Sequence, residues 1–192
     1  MINPCAMKGI AIFLELANAL RQFEFAAVCG WGTTQADREA LMRMPNVRLL
    51  DPFDDIRVGL KETRVLLAPS LWAEAFGCVA VEAMQYGIPV LASDVGGLPE
   101  AKLGVDYVLA VKPIEQYRMR FDDRLLPVPI VPVQDCRPWM EALTELLSSE
   151  KRYDQLADQS YAAAQTAAFQ GGIETFEQYL ETLETMATAT MS

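Results

Sequence analysis

Val65-Leu-Leu-Ala-Pro-Ser-Leu-Trp-Ala-Glu74-Ala-Phe-Gly-Cys-Val-Ala-Val-Glu82-Ala-Met-Gln-Tyr-Gly-Ile-Pro-Val-Leu-Ala-Ser93 decides the reading of this chain. A short apolar run, Val65–Ala68, stops at Pro69-Ser70. A helical stretch follows from about Gly77 to Tyr86, with Gly87 at its C-terminal end, where a left-handed residue commonly closes a helix. A second apolar run, Ile88–Ala92, comes next. Neither run alternates polar with apolar residues. Strands that are apolar throughout and separated by helices indicate a parallel sheet covered on both faces.

The same rhythm extends in both directions. Upstream, Ile10, Phe13, Leu14, Ala17 and Leu20 fall at helical spacing within Lys8–Gln22. Phe25–Cys29 reads as a buried strand closed by Gly30 and Gly32. A helix over Thr34–Arg43, a strand over Val47–Leu50 and a short helix capped by Asp54 or Asp55 complete that side. Downstream, Leu98–Leu103 reads as a short helix and Tyr107–Val111 as a fifth apolar run. The expected organisation is a single α/β domain over residues 1–192: a core at 1–111, a proline-rich surface excursion at 112–134 and C-terminal helices at 135–192. In the excursion, Leu125, Leu126, Ile130 and Val131 are expected to pack. In the last helix, Ile173, Phe176, Leu180 and Leu183 form one stripe, expected to face the core, with an exposed docking surface as the alternative.

Composition narrows the chemistry. The chain has 192 residues, a formal net charge of -10 and no histidine. An acidic chain offers no basic footprint for nucleic acid. Without histidine, no Ser–His–Asp triad and no histidine metal site is complete within it. With 52% hydrophobic and 22% charged residues, it has the composition of a folded globular domain. The four cysteines, at 5, 29, 78 and 136, form no CxxC pair and read as reduced thiols of a cytoplasmic protein. No apolar run reaches the roughly 18 residues of a transmembrane segment, and the first residues lack the pattern of a signal peptide.

Glu74 and Glu82 stand eight residues apart, the first in a loop after a strand and the second two turns into the next helix. Open α/β sheets bind ligands outside the carboxyl ends of their strands. The unpaired amides of Phe76, Gly77 and Cys78 at the helix start favour an anion such as phosphate. A carboxylate accepts from two neighbouring hydroxyls, as on a sugar. The alternative is structural: one solvated and one capping glutamate. No metal site is indicated, since Asp54-Asp55 and Asp122-Asp123 read as solvated loop pairs.

The order of motifs resembles the donor-binding, C-terminal half of retaining GT-B glycosyltransferases of the family 4 type. The resemblance rests on Pro69-Ser70, Glu74-Ala-Phe76-Gly77, Glu82-Ala83-Met84, Gly87-Ile-Pro89-Val90 and Gly96-Gly97-Leu-Pro-Glu100, with Lys8-Gly9 and Gly30-Trp-Gly32 upstream. It covers about residues 3–111. It implies a Rossmann-like sheet, one half of a GT-B fold, and transfer of a hexosyl group from a nucleotide-sugar with retention. By the same resemblance Glu74 contacts the transferred sugar and is the catalytic candidate. Glu82 holds the ribose, Lys8 neutralises the diphosphate, Phe76, Gly77 and Cys78 present amides, and Gly30 and Gly32 pass beside the nucleotide. The nucleotide-sugar is a substrate, and no separate cofactor is implied.

Asn3 stands five residues before Lys8, where the family usually carries arginine. The resemblance also implies an N-terminal acceptor domain, separate or missing, and a first strand ending near Met1-Ile2. The expectation is therefore a sheet lacking most of an internal strand. The implied location is cytoplasmic, with a peripheral membrane association of the full enzyme as an option. Rival readings are another GT-B enzyme, such as a nucleotide-sugar epimerase or a phosphorylase, and a non-catalytic remnant or binding subunit. Trp31, Trp72 and Trp139 are expected to be packing residues, with Trp72 next to the sugar site.

Overall fold

The computed structural model describes residues 1–122, 125–170 and 176–183. Elements follow in the order α1 (Ile10–Ala19), β1 (Phe25–Val28), α2 (Gln35–Met42), β2 (Val47–Leu50), α3 (Ile56–Leu60), β3 (Leu66–Ala68), α4 (Cys78–Met84), β4 (Val90–Ser93) and α5 (Leu98–Ala101). Then come β5 (Val108–Leu109), β6 (Tyr117–Phe121), β7 (Pro127–Pro129), α6 (Arg137–Ser148) and α7 (Glu150–Gln170). Residues 176–183 are helical. The expected α/β architecture with parallel pairing and helices on both sides is what forms.

The parallel strands fall into two groups. β1 pairs with β2 from Phe25↔Val47 to Val28↔Leu50. β3, β4 and β5 form the second group, aligned at Leu66↔Val90 and Ala92↔Val108. β4 is buried along its whole length, which is why Val90–Ser93 shows no alternation. Among the described residues, the first residues of the chain pair with β1 on its free side. Ile2 bridges Val28, the Asn3 amide donates to the Val28 carbonyl at 2.8 Å, and the Val28 amide donates to the Met1 carbonyl at 3.0 Å. Among the described residues no longer strand lies between β1 and β3, as the sequence led one to expect.

The core is continuous. Phe13, Leu16 and Ala17 of α1, Ala80 and Met84 of α4, and Trp139 and Leu146 of α6 are fully buried with the strands. Each large side chain contributes about 1.5–3 kcal/mol through its removal from water. α7 packs against α4 and α6. No described helix is long and apolar enough to cross a membrane.

Two packing expectations are corrected. The excursion is an antiparallel β6–β7 hairpin in which Leu125 is 81%, Ile130 45% and Val131 37% exposed, whereas Leu126 does pack against the core. A two-stranded ribbon has no second layer to cover it, and Pro127 and Pro129 withhold amide donors from further pairing. In the C-terminal helix, Phe176, Leu180 and Leu183 are exposed rather than in the core. Ile173 and Asp123 lie outside the described residues.

Candidate functional site

A cavity of about 420 Å³ opens at the C-terminal end of β3. Its polar wall is made by Lys8, Ser70, Glu74 and the segment Phe76-Gly77-Cys78. Lys8 Nζ donates to Glu74 Oε1, and Ser70 Oγ donates to the same oxygen at 2.8 Å. Ser70 is buried, so this bond fixes the carboxylate from beneath. Lys8 Nζ also stands 5.8 Å from the centre of the Trp72 ring, within the range of a cation–π contact.

Local sequence explains the convergence. Lys8 precedes α1 through Gly9, which has φ 78°; a Cβ there would fall 1.8 Å from the Pro69 carbonyl oxygen. Only glycine lets the loop before α1 press against the end of β3, and that contact carries Lys8 to Glu74. The Glu74 loop is held from its other side by Gly96 and Gly97. A Cβ on Gly96, at φ 60°, would meet the Glu74 amide nitrogen at 2.4 Å, and one on Gly97 would meet the Ala75 carbonyl oxygen at 2.6 Å. The Gly97 amide donates to the Glu74 carbonyl at 2.8 Å. α4 then begins at Gly77, left-handed and without a side-chain cap. The first amides of α4 therefore have no side-chain acceptor of their own.

Of the residues singled out in the sequence, Lys8, Glu74, Phe76, Gly77 and Cys78 line this cavity together, and Cys78 is exposed. Glu82 is half-buried on α4 and is not part of the lining. Gly30 and Gly32 also stand outside it, packed on Asn3. The Gly32 amide donates to Asn3 Oδ1 at 2.8 Å, and a Cβ on Gly32 would lie 2.8 Å from Cys5 Sγ. The residue standing in place of an arginine thus ties the Gly30–Gly32 turn to the start of the chain. Trp139 is fully buried, as expected. Trp31 is not a packing residue: it is 57% exposed and lines the cavity, because the turn that carries it sits at the mouth.

Ser70 and the Gly96-Gly97 pair hold the Glu74 loop and carried no assigned role in the sequence. Ser70 acts through a contact with a residue only four positions on, but its burial comes from tertiary packing. The two glycines were visible as a motif, while the loop they grip was not.

Comparisons with known proteins agree with this architecture. A family model described as "Glycosyl transferases group 1" matches residues 1–117. The chain is 62% identical over 39 residues to an "Uncharacterized 41.2 kDa protein in cps region" of Klebsiella pneumoniae, covering 20% of this chain and 11% of that one. It is 33% identical over 106 residues to D-inositol 3-phosphate glycosyltransferase of Streptomyces scabiei (strain 87.22), covering 50% of this chain and 24% of that one. Among solved structures, HepE of Anabaena in complex with UDP and glucose aligns with a TM-score of 0.64 at 20% identity, covering 93% of this chain and 45% of that one. At that identity the likeness shows the fold alone. The matches span less than half the length of these relatives.

Proposed function

Because the chain belongs to the glycosyl transferases group 1 family, we propose that it is the donor-binding half of a retaining glycosyltransferase that moves a hexosyl group from a nucleotide-sugar. The single observation that carries this reading is the Lys8–Glu74 pair across a cavity at the carboxyl end of β3. A cation and a carboxylate satisfy each other there until a donor arrives. The diphosphate then takes Lys8, a compact point charge on a flexible stem. Glu74, still held by Ser70, is freed to accept from sugar hydroxyls. The amides of Phe76, Gly77 and Cys78 meet the distal phosphate or the sugar, and Glu82 receives the ribose. Gly30 and Gly32 keep the neighbouring loop close to the nucleotide. The work on the donor is orientation and stabilisation of the departing diphosphate. The acceptor and full activity come from an N-terminal half. That HepE was solved with UDP and glucose supports the choice of ligand class.

Titration of nucleoside diphosphates against their parent nucleosides tests the role of Lys8. Lys8→Ala should weaken diphosphate binding by about tenfold to a hundredfold, the range of a charge-assisted hydrogen bond, and leave nucleoside binding unchanged. Glu74→Gln should leave diphosphate affinity intact or raised, because Lys8 is released, while removing the preference for nucleotide-sugar over diphosphate. Diphosphate affinity unchanged in Lys8→Ala would remove the basis of this reading.

A further inference from the structure

A cavity of about 450 Å³ lies at the end of the sheet opposite the cavity that holds Glu74. Thr63 borders it just before β3, and Gly87 and Ile88 border it just before β4. Its floor is apolar, with Leu60 and Ile88 both buried. Arg57 of α3, Lys61 directly after it, Tyr86 after α4 and Tyr153 of α7 make the walls. No carboxylate stands among the described lining residues, although the chain carries a net charge of -10. A cavity of this size, apolar beneath and with a few polar groups converging on it, has the make-up of a small-molecule site.

The wall groups are either fixed in place or open to a ligand. Arg57 is fixed, since its Nε donates to the two Asp55 oxygens at 2.9 and 2.8 Å. The Lys61 ammonium has no hydrogen-bond or ion-pair partner among the described residues. Its sequence neighbour Glu62 is engaged by Arg48 at 3.0 Å. Tyr153 is held by its hydroxyl, which donates to the Arg64 carbonyl at 3.1 Å, and the Arg64 guanidinium lies 4.5 Å from its ring centre. Tyr86 is 54% exposed. Helix capping does not account for the two cations. At the end of α3 the Lys61 and Thr63 amides already donate to the Arg57 and Leu60 carbonyls, at 3.0 and 2.9 Å. At the end of α4 the Gly87 and Ile88 amides donate to the Met84 and Ala83 carbonyls, at 2.9 and 3.1 Å.

We propose that this cavity binds a small phosphate monoester that carries a planar ring. The phosphoryl oxygens take Arg57 and Lys61, and the ring lies against Tyr86 and Tyr153 over the apolar floor. Two cationic donors on separate side chains suit a group with several anionic oxygens. The volume leaves room for a body beyond the phosphoryl group, and the exposed Tyr86 ring gives that body a surface to stack on. The site stands apart from the Glu74 cavity and does not depend on the transferase reading.

The test titrates phenyl phosphate, inorganic phosphate and phenol into the full chain and follows the backbone amide shifts of Thr63, Gly87 and Ile88. Phenyl phosphate should shift all three saturably and bind about threefold to tenfold more tightly than inorganic phosphate, the range of one aromatic contact. Phenol alone should shift none of them. Lys61→Gln should weaken phenyl phosphate by at least about threefold. Tyr86→Ala should bring it down to the level of inorganic phosphate. Lys8→Ala, in the other cavity, should leave all three shifts unchanged. Absence of saturable shifts, equal affinity for phenyl phosphate and inorganic phosphate, or unchanged binding in Lys61→Gln overturns the proposal. Lys61 is exposed and unpaired, so its variant decides the matter even if Tyr86→Ala does not fold.

Discussion

Gly96→Ala is expected to lower the melting temperature by about 5–15 °C, the equivalent of about 2–4 kcal/mol in a domain of this size. The new methyl group has nowhere to go. Gly96 sits at φ 60°, and its Cβ would come within 2.4 Å of the Glu74 nitrogen and 2.6 Å of the Glu74 oxygen. Both are backbone atoms, which cannot rotate aside. The Glu74 loop must move, and with it the carboxylate that Lys8 and Ser70 hold. Loss of nucleotide-sugar binding should therefore accompany the loss of stability. Gly104→Ala is the control. Gly104 has φ 78° but nothing within 4 Å of the same position, so it carries the backbone strain without the collision. Thermal melts of the two variants isolate the contact, and equal losses would mean that the Gly96 contact contributes nothing.

Lys102 gives the second large effect, on the pH dependence of stability. The side chain is fully buried at the end of α5 and donates to the Val90 carbonyl at 2.6 Å. Burial lowers its pKa to about 8, against a small opposing pull from Asp106. Between about pH 8 and the ordinary lysine value of ~10.4, the folded chain has released this proton and the unfolded chain still holds it. Unfolding then takes up a proton, so the Lys102 contribution to stability rises with pH by about 3 kcal/mol across that window. Cys5, Cys136 and Tyr107 are acids with raised pKa values and act in the opposite sense in the alkaline range. The difference between wild type and Lys102→Met isolates the lysine. Denaturant melts from pH 7 to 10.5 should show wild type gaining on the variant as pH rises, and a constant difference would contradict the assignment.

The parallel sheet and most helix positions were legible because the chain encodes them locally. Val65–Ala68 and Ile88–Ala92 carry no polar alternation because the strands that overlap them, Leu66–Ala68 and Val90–Ser93, are largely buried on both faces. Lys8 and Glu74 were both legible as polar residues at element ends. Their direct pairing was not, since it spans 66 positions and depends on Gly9 pressing against Pro69. Trp31, Leu125, Ile130 and Val131 misled for a shared reason. An apolar residue is read as buried by default, and only the tertiary arrangement reveals a turn at a cavity mouth or a ribbon without a covering layer. Lys102 carried no sequence signal, because a helix-end lysine is ordinarily solvated.

On the proposed reading, the cavity at the end of β3 receives a nucleoside diphosphate through Lys8. Isothermal titration of the chain with uridine, guanosine and adenosine diphosphates at millimolar concentration tests it most directly. Saturable heat is expected with at least one of the three, and its loss in Lys8→Ala. No heat with any of them, or the same heat in wild type and variant, would contradict it.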